Sequence, residues 1–153
     1  MTKKIKFSVQ PNAVQPKKGR AEDVGYDLTV YSVKVASKGA LGLQTFMIDF
    51  GVKVEPPENY YFELVPRSSL AWSGFIMPNS VGIIDPDYRG TLKMPLIYLG
   101  SATEAEDKAK TLIGTRIAQL ILRQKHTATF IQVSEEELSL TVRGKQGFGS
   151  SGL

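Results

Sequence analysis

The sequence predicts an all-β domain with at most one short helix, and three observations carry that prediction. Apolar residues recur at period two over short runs, turn signals separate the runs at the spacing of an antiparallel sandwich or barrel, and glycine and proline together supply 22 of the 153 residues. No segment has helical periodicity long enough to order a core.

Taken in order, the alternating sets are Ile5, Phe7 and Val9; Leu28 and Val30; Phe46, Ile48 and Phe50; Val52 and Val54; Tyr60, Phe62 and Leu64; Leu92, Met94 and Leu96; Ile117, Leu120 and Leu122; and Phe130 with Val133. Between them stand Pro11-Asn12, Ser37-Lys38-Gly39, Pro56-Pro57-Glu58-Asn59, Pro78-Asn79 and Asp85-Pro86-Asp87, all turn formers. Helical character is expected only around Ser68 to Trp72, in the charged stretch 101–110, and in one turn at 134–138. The length suits a single core, and there is no internal repeat or linker.

With 42% apolar and 22% charged residues, the composition is that of a globular protein rather than a disordered or membrane-spanning one. The absence of cysteine excludes disulfides, thiolate metal sites and a cysteine nucleophile, and leaves the compartment open. The net charge of +4 is uneven. Lys3, Lys4, Lys6, Lys17, Lys18 and Arg20 fall in the first 20 residues without an acid, so the remainder carries 13 basic against 15 acidic residues. A lysine-guarded edge strand explains this arm without a nucleic-acid partner. Ile5-Lys6-Phe7-Ser8-Val9 alternates like a strand and lacks the apolar run of a signal peptide, so the expected location is cytoplasmic or nuclear and not secreted.

Four glycines (Gly144, Gly147, Gly149, Gly152) crowd the last ten residues. Residues 147–152 match GxGxxG, but only Leu153 follows, so the helix that a dinucleotide site needs is missing. A loose terminus and an anion-binding nest both remain open for this segment, and Arg143 ahead of it suits phosphate. The turn Ile84-Asp85-Pro86-Asp87-Tyr88-Arg89-Gly90 reads either as a hairpin corner or as a carboxylate leaving an apolar strand, partly desolvated and suited to act as a general base. Pro66-Arg67-Ser68-Ser69-Leu70-Ala71 offers a guanidinium and two hydroxyls for phosphate oxygens, or a serine N-cap. His126, the single histidine, lacks partners for a triad or metal site and reads as a surface residue. Trp72 reads as a packing residue.

In sequence order these segments resemble the five signature blocks of the trimeric deoxyuridine triphosphatase (dUTPase) family: residues 21–28, 66–71, 79–90, 114–120 and 143–152. The resemblance implies a distorted jelly-roll-like β-barrel over residues 1–142, with residues 143–153 as a glycine-rich tail closing over an active site. It implies hydrolysis of dUTP to dUMP and pyrophosphate by a homotrimer whose sites are shared between subunits, with Mg2+ as cofactor and neither membrane nor nucleic acid as partner. Asp85 is then the general base. Asn79, Gly82 and Ile84 read the uracil, Tyr88 packs under the deoxyribose and Phe148 covers the base. Arg67, Ser68, Ser69, Gln119, Arg143, Ser150 and Ser151 contact phosphates, and Asp27 reaches the metal through water.

The chain departs from the family pattern at Val24, expected to face the core, at Ser69 and Gln146, at Thr91 where many members carry an acid or amide, and in a longer 100–114 segment within which residues 104–108 are expected to be a surface insertion. A dCTP deaminase shares the fold and related segments, but Pro95 stands where that chemistry needs a proton-shuttling glutamate. A non-enzymatic binding module on this fold is the alternative from another class.

Overall fold

The computed structural model describes residues 2–38 and 43–147. Among these residues ten strands form: β1 (Lys6–Val9), β2 (Tyr26–Thr29), β3 (Ser32–Lys38), β4 (Gln44–Asp49), β5 (Val52–Glu55), β6 (Tyr60–Pro66), β7 (Phe75–Ile76), β8 (Gly82–Ile84), β9 (Lys93–Tyr98) and β10 (Arg116–Gln124). One six-residue helix, α1 (Ala105–Lys110), joins them. Two four-stranded sheets, ordered β2-β10-β6-β8 and β3-β4-β9-β7, and a β1-β5 pair are antiparallel throughout. The all-β expectation holds.

Most of the period-two sets become the inner faces of the sheets, whereas Phe7 and Val9 of β1 stay exposed on its edge. Leu28, Phe62, Leu64, Ile84 and Leu120 from one sheet and Phe46, Ile48, Met94 and Leu96 from the other join one buried cluster with Phe50, Val52 and Leu92. Antiparallel sheets with one face on the core and one face outward require this alternation. The outer face of the first sheet is where the polar residues collect.

Several elements differ from expectation. β3 forms on Val33 and Val35, which the alternating sets omit; its bulge between Val35 and Ser37 interrupts the period. Phe130 and Val133 form no strand: residues 125–134 run without regular structure, and Phe130, Ile131, Leu138, Leu140 and Val142 stand exposed. Among the described residues these side chains join no core cluster. Trp72 is 90% exposed on its 3-10 turn, because Leu70 is the residue of that turn which faces the core. The expected surface insertion, residues 104–108, is exposed except at Ala105, which with Ala109 and Leu112 is buried and anchors the longer segment around it. Residues 135–137 form the expected single turn, closed by a reciprocal Ser134 and Glu137 capping box.

The basic arm is locally satisfied. Lys6 Nζ pairs with Glu55 at 2.7 Å, Lys3 Nζ lies 5.6 Å from the Tyr60 ring centre, and Lys18 Nζ lies 5.2 Å from that of Tyr26. β1 is an exposed edge strand paired only with β5, as its lysines suggested. Among the described residues no helix is long and apolar enough to cross a membrane.

Candidate active site

A polar cleft of about 560 Å³ opens on the outer face of the β2-β10-β6 sheet, lined among others by Arg20, Asp27, Arg67, Ser68, Arg116 and Gln119. β2 delivers Asp27, which a hydrogen-bonded register places beside Gln119 of β10, itself beside Val65 of β6. Backbone bonds to Lys17 hold Asp27 from the other side, at 2.7 and 3.3 Å. Arg67 stands where β6 ends, its amide donating to the Ile117 carbonyl at 2.8 Å.

Arg116 reaches the same cleft through an irregularity. In a regular strand residues 116 and 119 point to opposite faces, since three is an odd step. Between β10 and β2 the register shifts: Arg116 lies opposite Thr29 and Ala118 opposite Leu28, so Ile117 is the extra residue. Ile117 and Ala118 are buried in succession, and Arg116 and Gln119 both line the cleft. The three-residue step between the apolar Ile117 and Leu120 is the sequence signal of this bulge.

Asp27 is the hub. Its carboxylate receives Arg67 Nε at 3.1 Å on one oxygen and Arg116 Nη1 at 3.0 Å on the other, with only 9% of the side chain exposed. Arg20 and Asp23 complete the rim, joined by a 2.8 Å bond from the Arg20 amide to Asp23 Oδ2. Three guanidiniums against two carboxylates leave one net positive charge facing a cleft whose walls are hydrogen-bond donors. That arrangement binds polyanions. Gly25 lies against it, where a β-carbon would overlap the Gln119 carboxamide, 2.9 Å from its Cδ. Arg20, Asp23 and Arg116 were not among the expected site residues.

Val24, expected to face the core, is 70% exposed and lines the cleft beside the buried Gly25 and Asp27, which line it too. Ser68 lines the cleft and Ser69 beside it is exposed. Ser68 is not an N-cap: Arg67 occupies that position, without a side-chain bond, which leaves the serine hydroxyl outside the helix frame.

Asp85 lies elsewhere. β8 pairs antiparallel with β6, Ile84 opposite Phe62 and Gly82 opposite Leu64, so Asp85 falls level with Tyr61. Arg67 is six residues farther along β6, about 20 Å at the usual strand rise. Asp85 is solvent-exposed in the single chain, and the desolvation expected of it is absent: Ile83 beside it faces outward and only Ile84 enters the core. Asn79 is exposed in a tight turn, its carbonyl accepting from Val81 at 2.5 Å, with Ser80 at a φ of 58°. Gly82 is half-buried against Leu64, and Tyr88 is partly exposed. Arg143 folds back on its own turn, Nε donating to the Gln146 carbonyl at 2.9 Å. Phe148, Ser150 and Ser151 lie outside the described residues.

A model of the dUTPase family matches residues 12–152. The chain belongs to the dUTPase family. It is 33% identical over 155 residues to the deoxyuridine 5'-triphosphate nucleotidohydrolase of Escherichia phage T5, covering 97% of this chain and 98% of that protein. It is 37% identical over 147 residues to the enzyme of the same name from Leptospira interrogans, covering 94% of both. Among solved structures, the dUTPase of Staphylococcus bacteriophage 80alpha with dUpNHpp superposes with a TM-score of 0.79 at 26% identity, over 99% of this chain and 100% of that one. The cleft is lined mainly from residues 21–28, 66–71 and 114–120, three of the five segments singled out in the sequence, and residues 79–90 lie apart from it.

Proposed function

We propose that this chain hydrolyses dUTP to dUMP and pyrophosphate, with Arg67, Ser68, Ser69 and Gln119 holding the phosphate chain. Asp85 takes a proton from a water as its oxygen attacks the α-phosphorus. The bond from that phosphorus to the α,β-bridging oxygen breaks, and pyrophosphate leaves with the electron pair. Asn79, Gly82 and Ile84 present backbone and side-chain partners to uracil, Tyr88 floors the deoxyribose, and the tail brings Arg143, Ser150 and Ser151 to the phosphates with Phe148 over the base. Support for the substrate class comes from family membership and from the dUpNHpp bound to the related phage 80alpha enzyme.

Mg2+ suits the donor set. Asp27 already serves two arginines, so it offers the ion no vacant carboxylate, and magnesium characteristically keeps its waters and rides on substrate phosphates. Asp27 and Asp23 would accept hydrogen bonds from those waters, and the ion would supply the positive charge that one net cation in the cleft lacks.

The observation that carries the assembly is the separation of Asp85 from Arg67. A general base must lie within about 3 Å of the water it activates, and about 20 Å of β6 stands between the two groups in one chain. Asp85 of one copy therefore serves the cleft of another, in a homotrimer. The exposed apolar segment carrying Phe130, Ile131, Leu138, Leu140 and Val142 fits the same assembly, because it needs a surface outside its own domain. The deciding experiment offers dUTP, dCTP, dTTP and UTP with magnesium and follows pyrophosphate and ammonia. Pyrophosphate from dUTP alone, lost in Asp85→Asn, is the expected result; ammonia from dCTP, or no turnover of any nucleotide, overturns the proposal.

A further inference from the structure

Tyr88 is 40% exposed, enough to offer one ring face, yet its hydroxyl is committed: it donates to the Thr91 carbonyl at 2.9 Å. The ring folds back over Gly90, where a β-carbon would stand 2.5 Å from the ring Cζ, so only glycine leaves it room. The acceptor is held from both sides. Thr91 is buried, and its hydroxyl donates to Asp49 Oδ2 at 2.8 Å. Asp49 Oδ1 accepts the Gly51 amide at 2.7 Å, and Lys93 Nζ lies 3.9 Å from Oδ2. Leu92, the next residue, donates to the Val52 carbonyl at 2.7 Å and accepts from the Phe50 amide at 3.1 Å.

A chain of contacts thus runs from the end of β4, through Asp49 and Thr91, to the aromatic ring. The geometry points to Asp49 and Thr91 as positioning residues that fix the Tyr88 ring and so set discrimination against ribonucleotides. The inference rests on Tyr88 being the floor under the deoxyribose. A ring that excludes one extra hydroxyl must not yield, and a tyrosine held only by its own rotamer preferences would swing aside. Thr91, which departs from the acid or amide common in the family, supplies the hydroxyl that locks this backbone to Asp49.

The test is the ratio of kcat/KM for dUTP to that for UTP in Thr91→Val, Thr91→Ser, Asp49→Ala, Tyr88→Phe and the double variant Thr91→Val with Tyr88→Phe. Thr91→Val, Asp49→Ala and Tyr88→Phe should each lower the ratio about fivefold, the factor corresponding to one ordinary hydrogen bond. Thr91→Ser should keep it, and the double variant should be no worse than Tyr88→Phe, because both act through one contact. A merely structural role would slow both substrates alike and leave the ratio unchanged, which overturns the inference, as does additivity in the double variant. If Thr91→Val or Asp49→Ala fails to fold, Tyr88→Phe on the exposed ring decides alone. Tyr88→Ala separates the two levels: a ratio unchanged there removes the sugar-floor reading itself, whereas a collapsed ratio there with Tyr88→Phe unaffected removes only the anchoring.

Discussion

Replacing Asp27 by Asn keeps the shape of the hub and removes its charge. Two hydrogen-bonded ion pairs, from Arg67 at 3.1 Å and Arg116 at 3.0 Å, become at best one bond from a guanidinium to a neutral amide oxygen. Bonds to charged groups contribute about 1.5–3 kcal/mol each, but the arginines are a third or more exposed and water screens them, so a net loss of about 2 kcal/mol is expected. For a chain of this size that lowers the melting temperature by roughly 4–8 °C. The catalytic consequence separates from the stability loss. Without Asp27 the cleft becomes more positive, so KM for dUTP should not rise, whereas misaligned arginines should lower kcat by about 30-fold if the same 2 kcal/mol is lost at the transition state. Steady-state pyrophosphate release and a thermal melt read both effects. A variant with kcat within twofold of the parent, or with a raised KM and unchanged kcat, would refute the hub as the device that aims the two guanidiniums.

Gly25→Ala should displace the Gln119 side chain and raise KM for dUTP several-fold with the fold intact, which circular dichroism and initial rates check together. Mixing Asp85→Asn chains with chains ending at residue 142 should restore partial activity that neither shows alone; no recovery after co-refolding would count against shared sites. Arg123, with help from the Tyr61 hydroxyl, holds Glu63 below the usual carboxylate value of 4.5 against a smaller upward push from partial burial. The folded chain therefore binds this proton less readily than the unfolded one, so the contribution is present above about pH 4.5 and is lost as pH falls through the lower folded value. Glu63→Gln should melt below the parent at pH 7 and converge with it on acidification, and a gap independent of pH would contradict this. Chelation of divalent ions should abolish pyrophosphate release, with recovery on adding Mg2+.

The strands were legible because one buried face per strand leaves a period of two in the sequence, and Leu28, Phe46, Phe62, Met94 and Leu120 all obey it. Where the pattern misled, the partner was missing or the period was broken. Phe130 and Val133 alternate but form no strand, and Phe130 stands fully exposed among the described residues, while Trp72 looks like core by chemistry although Leu70 holds the inward position of its turn. Arg67, Ser68 and Gln119, which the structure gathers in one cleft, were legible as a set from their blocks. Arg116, Arg20 and Asp23 were less so, because their shared location depends on a register shift and a turn rather than on any local motif. The separation of Asp85 from Arg67, about 20 Å along β6 at the usual strand rise, has no sequence signature, since strand pairing alone sets it.

The bulge at Ile117 ties the cleft to a count of residues as well as to their identity. Every group that lines it would be retained on deletion of Ile117, because the step from Arg116 to Gln119 becomes two, an even count that a regular strand without the bulge also aims at one face, leaving Asp27 with both cations. Side-chain chemistry in this sheet is thus written partly in a count of residues, since a step of three needs the bulge and a step of two does not. A substitution scan of β10 would pass over that information, and the single deletion at Ile117, which keeps the cleft, would find it.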